Sequence, residues 1–301
     1  MSAQMSLLYP ITFALEERHV LVGLLDNTGS GLLEEGHAAE GAAYGAAFQE
    51  LWDHTSHPTI DLPSGTIVTV SLTADHWALL AGSLDVDAFQ FARRHPEESA
   101  LELRLRDRII ETLGDAMPAL ALPTAPKRDD VRVPVGEVGW YRLDSALDAA
   151  EEVLILGEGT DYDAWINQGN GLMVGYCVVT GTRDGSIDVT AELLDGAPPL
   201  ETGSWDDIAE GSLSLRTVAI PGPPPEANML VAAVPGRNAV ALFELDPVWP
   251  STCMFRVRVS VRNRDAGTGE HHLIQMWRAP SAPEKLIKGT DLTGRRRRLA
   301  P

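Results

Sequence analysis

The chain has 301 residues, 44% hydrophobic and 22% charged, enough apolar material for one large domain or two of ordinary size. Its 43 acidic residues outnumber 24 basic ones, and the formal charge of −19 disfavours general nucleic-acid binding, because phosphates reward clustered Lys and Arg. No run approaches the ~18 apolar residues of a membrane span, and Met1 to Ser30 lacks the basic start of a secretion signal, so a cytoplasmic protein is expected.

In chain order, Ile11 to Leu15 and His19 to Leu25 are predicted strands, with Asp26 to Gly31 as a loop by its Asn, Ser and Gly content. Glu34 to Trp52 is Ala-rich and predicted helical, with Tyr44, Phe48, Leu51 and Trp52 sharing a face. Thr66 to Leu72 reads as a strand. Thr73 then offers an N-cap to a helix through Trp77 to Leu80. Ser99 to Leu113 is a second amphipathic helix, with Leu101, Leu105 and Ile109 in register.

Pro118, Pro123, Pro126 and Pro134 surround Lys127-Arg128-Asp129-Asp130, a Pro-rich charged passage that reads as a linker. Asp144 to Glu152 reads as a short helix. From Val153 the signals are strand-like: Val153–Leu156, Leu172–Thr180, Ile187–Leu193, Gly211–Ile220, Met229–Val234, Ala239–Leu245, Cys253–Arg262 and His271–Trp277. Phe255, Val257, Val259 and Val261 alternate with Arg256, Arg258, Ser260 and Arg262, which puts the arginines on one strand face. Cross-strand acids such as Asp188, Glu192 or Glu244 would neutralise that stripe; a partner protein is the other way to do so. The expected class is α+β: an α/β domain over 1–122, a connecting segment over 123–150, an antiparallel jelly-roll-like β-sandwich over 151–279, and a polar basic tail over 280–301.

Chemical signatures are sparse. Asp53, His54 and His57, even with His37 or His76, fall short of a metal-ligand pattern, and Cys177 and Cys253 sit in apolar strands as expected free, buried thiols. Asn27 to Gly31 lacks the third glycine of a dinucleotide loop and the Gly-Lys-Ser/Thr of a P-loop, and no Gly-x-Ser-x-Gly elbow occurs. Asp161 with Asp163, and Asp206, Asp207 with Glu210, read as acidic loops. No catalytic residue, metal or cofactor is therefore assigned.

Trp165 with Gln168-Gly169, Trp205-Asp206-Asp207, Arg256-Val257-Arg258-Val259 and Leu273-Ile274-Gln275-Met276-Trp277 follow one another through the second half. In these motifs residues 150–279 resemble a set of uncharacterised actinobacterial β-rich proteins. Trp165 and Gln168-Gly169 before a long apolar strand are also similar to the competence protein J family of DNA-entry nuclease inhibitors, which implies a β-sandwich that blocks a nuclease.

A non-enzymatic protein-binding function is expected, as an inhibitor or immunity protein against a basic toxin or nuclease that the acidic charge would steer. Trp165, Trp205 and Trp249 are the expected apolar anchors. Asp206, Asp207, Arg256 and Arg258 are the expected charged contacts. An enzyme with an interdomain His/Asp site and a structural subunit are the alternatives. The oligomeric state is left open.

Overall fold

The computed structural model describes residues 7–34, 37–53, 63, 65–92, 94–118, 126–146, 169–216, 228–245 and 252–299. Helices and several sheets make the protein α+β, and the chain divides into two compact units, 1–120 and 121–301.

The first unit runs β1 (Leu8–Ala14), α1 (Leu15–Glu34), α2 (Ala38–Asp53), β2 (Ile67–Thr73), α3 (Ala74–Phe91) and α4 (Pro96–Leu113). β1 and β2 pair antiparallel, Leu8 opposite Thr73 and Ala14 opposite Ile67. Period-two alternation sends Ile11, Phe13, Val68, Val70 and Leu72 into one apolar cluster with Trp77, Leu80, Leu84, Leu105 and Ile109 from the helices. Thr73 caps α3 as expected, its Oγ1 accepting the His76 N–H.

Residues 19–31, expected as a strand and loop, are instead the body of α1. Two devices explain the difference. At its start, the Glu17 carboxylate accepts the Ala14 N–H at 2.9 Å, half of a capping box. Along its length, buried Leu15, Arg18, Leu21, Leu25 and Gly29 recur every three or four residues. Gly29 belongs to packing rather than to a turn, because a Cβ there would lie 3.0 Å from the Tyr44 Cβ of α2.

The second unit contains β3 (Lys127–Val135), β4 (Trp140–Ser145), β5 (Met173–Val174), β6 (Cys177–Val179), β7 (Gly185–Leu194), β8 (Asp207–Arg216), β9 (Met229–Ala233), β10 (Val240–Glu244), β11 (Thr252–Arg262), β12 (His271–Arg278), β13 (Lys285–Gly289) and α5 (Leu292–Arg298). One sheet has the order β10-β9-β4-β6-β5, the other β13-β8-β11-β12-β7-β3. The larger sheet is mixed rather than antiparallel throughout, because β12 and β7 run parallel. With β8 and β12 both antiparallel to β11, β7 points the same way as β8. The chain from Leu194 must then recross the sheet to begin β8 at Asp207, and residues 195–206 are that crossover.

Lys127 to Asp130, expected within a linker, opens β3 at one edge of this sheet. Charge on an edge strand discourages unwanted pairing, and sequence alone does not distinguish that use from a linker. Residues 285–298, expected as a tail, form β13 on the other edge and α5, capped by the Asp291 side chain at Gly294 N. Asp144 and Ser145 close β4, whereas 147–152, 153–156 and residues 119–125 of the Pro-rich passage lie outside the described residues.

Candidate functional site

One face of the six-stranded sheet is apolar: Phe255, Val257, Val259 and Val261 of β11 lie beside Ala209, Leu213, Ile274 and Met276 and are buried. The other face carries the arginine stripe, yet Arg256 and Arg258 are only 8% and 7% exposed. The crossover and the chain before β13 lie over them. Arg258 donates to the Pro198 and Pro199 carbonyls at 3.0 and 3.1 Å, and to Glu210 Oε1 at 2.8 Å. Arg256 donates to Ser212 Oγ and the Ala282 carbonyl, both at 2.7 Å. The neutralising acid for both is Glu210 of β8. Of the acids expected for this role, Glu192 pairs with Arg128 and Asp188 with Arg132, while Glu244 lies on β10 of the other sheet.

Beyond the crossover the face opens, and β11, β12, β7 and β3 place Arg262, His271, Asp188 and Arg132 in one cross-strand row. The exposed Arg262 guanidinium lies 5.3 Å from the Trp205 ring, and its Nη2 donates to His271 Nδ1 at 3.0 Å. The His271 and Trp205 rings are 5.5 Å apart. His271 Nε2 meets Thr190 Oγ1 at 3.0 Å, and the Thr190 hydroxyl donates to Asp130. Each group passes one hydrogen onward, Arg262 to His271 to Thr190 to Asp130, so His271 is neutral with its proton on Nε2. Burial lowers its pKa, and the charges of Arg262 and His272 lower it further against Asp188 and Asp130.

The same chain disfavours a nucleophile here. Thr190 is 4% exposed and receives a proton from His271 instead of giving one to it. Beside Arg262 lies an open cleft of about 520 Å³ lined by Asp188, Arg262, Asn263, Gly269 and His271. Asn263 takes a left-handed backbone, φ 64°, fixed by its N–H to Asp206 Oδ2 at 2.8 Å and its side chain to the Gly269 carbonyl at 3.1 Å.

Trp205 and Asp206 thus reach this site, Trp205 with 9% of its surface exposed and Asp206 through the Asn263 turn. Asp207 does not. It is fully buried against Arg264, 2.6 Å away, which also holds Asp291. Trp165, Trp249, His54, His57, Asp161 and Asp163 lie outside the described residues. His76 pairs with Glu50 in the first unit. Cys177 is buried and free, and burial pushes its thiol up to about 12, whereas the Cys253 side chain lies outside the described residues. Among the described residues no three His, Cys, Asp or Glu side chains converge as metal ligands.

Two groups were not singled out from sequence. His271 becomes visible once Asn263 to Glu270, with Gly267 and Gly269, is read as a hairpin turn that closes Arg262 onto it. Behind it, His272 Nε2 meets Glu270 Oε1 at 2.8 Å and His272 Nδ1 meets Tyr141 Oη at 3.0 Å, all buried. Glu270 also accepts the N–H groups of Gly181 and Thr182, and with His272 they hold its carboxyl below the ordinary value against the cost of burial. Sealed from solvent, this trio fastens the 180–182 loop and has no route to a substrate.

No protein-family model and no curated protein matches the chain. Among solved structures, a protein described as crocagin biosynthetic gene J is similar at a TM-score of 0.32 and 14% identity, over 52% of this chain and 99% of its own. A likeness at that level carries no argument about fold or activity. No described helix is long and apolar enough to cross a membrane.

Proposed function

We propose that the protein acts by binding another protein, and that the open end of the arginine-bearing sheet face takes part in the contact. The carrying observation is the exposed Arg262, already placed over the Trp205 ring and hydrogen-bonded to His271. Arg and Trp dominate interface energetics, and a side chain fixed beforehand loses less entropy on binding. The charge of −19 supports the finer reading, an inhibitor or immunity protein that a basic toxin or nuclease approaches by steering in the cytoplasm. The two sheets of the second unit, read as a β-sandwich, would give that face a rigid base.

The test is quantitative capture. Full-length protein and Arg262→Glu are used as bait in cells that express the chain, with partners compared by mass spectrometry. A partner retained by the native protein and reduced about tenfold by the variant supports the reading. Identical partner sets overturn it, as does small-molecule turnover by the purified protein alone.

A further inference from the structure

We infer that Arg262 and its cleft form a seat for a single carboxylate, such as a Glu or Asp side chain of a partner. The source of that carboxylate rests on the binding reading above; the seat itself does not.

Arg262 stands apart from its neighbours on the sheet face. Arg128 has Glu192, Arg132 has Asp188 and Arg258 has Glu210. Arg262 has no carboxylate within ion-pair distance among the described residues; its contacts are a neutral imidazole and an indole face. On this part of the sheet, where Arg128, Arg132 and Arg258 each have an acid, an exposed arginine without one is the exception. The Trp205 ring lies 5.3 Å from the guanidinium and the His271 bond uses one of the two Nη2 hydrogens, leaving the other Nη2 N–H to form a fork with Nη1 or Nε for a planar acceptor. A carboxylate matches that fork with two parallel bonds.

The cleft wall also selects by charge. Asp188 lines it, and Asp206 lies behind the Asn263 turn. One negative charge is balanced by Arg262, whereas a phosphate dianion would meet those two carboxylates with only one uncommitted cation. A carboxylate is therefore the better ligand.

Occupancy has a built-in reporter. A carboxylate on Arg262 offsets the positive charge beside His271 and raises the imidazole pKa. By linkage, the seat binds more tightly as pH falls through that pKa, while Asp188, Asp130 and His272 contribute the same background with and without ligand.

The experiment follows the His271 ring resonances of the full chain by NMR, assigned by their loss in His271→Asn. The probes are acetyl-Gly-Glu-Gly-amide, its Gln counterpart, sodium acetate and inorganic phosphate. The Glu peptide is expected to shift His271 and raise its pKa, with the Gln peptide silent. Arg262→Gln should weaken the Glu peptide roughly fivefold or more, while Arg237→Gln, an exposed arginine outside the cleft, leaves it unchanged. Arg262→Gln alone should raise the His271 pKa, which verifies the reporter. Acetate as effective as the peptide supports the seat and points to a small acid as its ligand, a result that counts against the protein source only. Equal effects of the Glu and Gln peptides, no effect of either carboxylate with a working reporter, or tighter binding of phosphate would overturn the assignment. A failed capture experiment with a positive peptide titration would leave the seat standing.

Discussion

Residues 1–120 carry 18 acidic and 6 basic side chains, whereas residues 121–301 carry 25 and 18, and the two units use this charge differently. In the first unit the interior is one apolar cluster of helix and strand residues, with Arg106–Asp85 as a buried ion pair between α3 and α4. In the second unit buried charge ties together segments distant in sequence. Arg264, after β11, bonds Asp207 of β8, Asp291 before α5, and the Gly171 carbonyl. The contrast follows from topology. Consecutive helices meet through local apolar stripes, but strands ordered β13-β8-β11-β12-β7-β3 need specific contacts to select one arrangement among many.

Arg264→Met leaves Asp291 buried without its cation and Asp207 with only the more distant Arg298 at 3.7 Å, and should cost the second unit about 3–5 kcal/mol. Amide hydrogen exchange should accelerate across β8, β11 and α5 while the α3 amides keep their protection. Equal loss in both units would show that they unfold as one and end the contrast.

Leu80→Ala is the reciprocal test. Leu80 is fully buried in α3, so its truncation should cost the first unit about 3 kcal/mol. The accelerated amides should then lie in β2, α3 and α4, with β8 and β11 unaffected.

A smaller effect sharpens the same point through pH. Burial first, then the hydrogen bond and charge of Asp87, raise the Glu102 carboxyl from 4.5 to about 8. The folded unit binds that proton more tightly than the unfolded chain, so this contribution is complete below about pH 4.5 and is lost as pH rises towards 8. Glu102→Gln, which stays neutral, should narrow the gap between urea midpoints at about pH 5 and about pH 8.5. An unchanged gap would show that Glu102 ionises as freely folded as unfolded.

Local signals were legible in the sequence wherever local physics decides. Thr73 announced the start of α3, Leu105 and Ile109 the buried stripe of α4, and the alternation of Phe255 to Arg262 the strand β11. Residues 19–31 misled because an apolar run with Gly suits a strand and loop as well as a helix whose glycine meets another helix. The outward arginines misled for a different reason. Their alternation implies a wet face, but Arg256 and Arg258 are covered by a crossover that exists only because β7 and β12 are parallel. Of the seat, Trp205 and the arginine stripe were visible; its His271 partner required the register of the β11–β12 hairpin.

The Arg264 cluster also sets a clock. Asp207 and Asp291 are 84 residues apart. At ~5–20 residues per second on a ribosome, roughly 4–17 s separate their synthesis. Throughout that interval Asp207, and later Arg264, have no complete set of partners and remain better solvated by water than by protein. The β8–β11 pair therefore cannot bury its charged end until α5 arrives. Apolar strands already synthesised meanwhile wait with exposed surface, and a chain interrupted before residue 291 carries that same unfinished cluster for good.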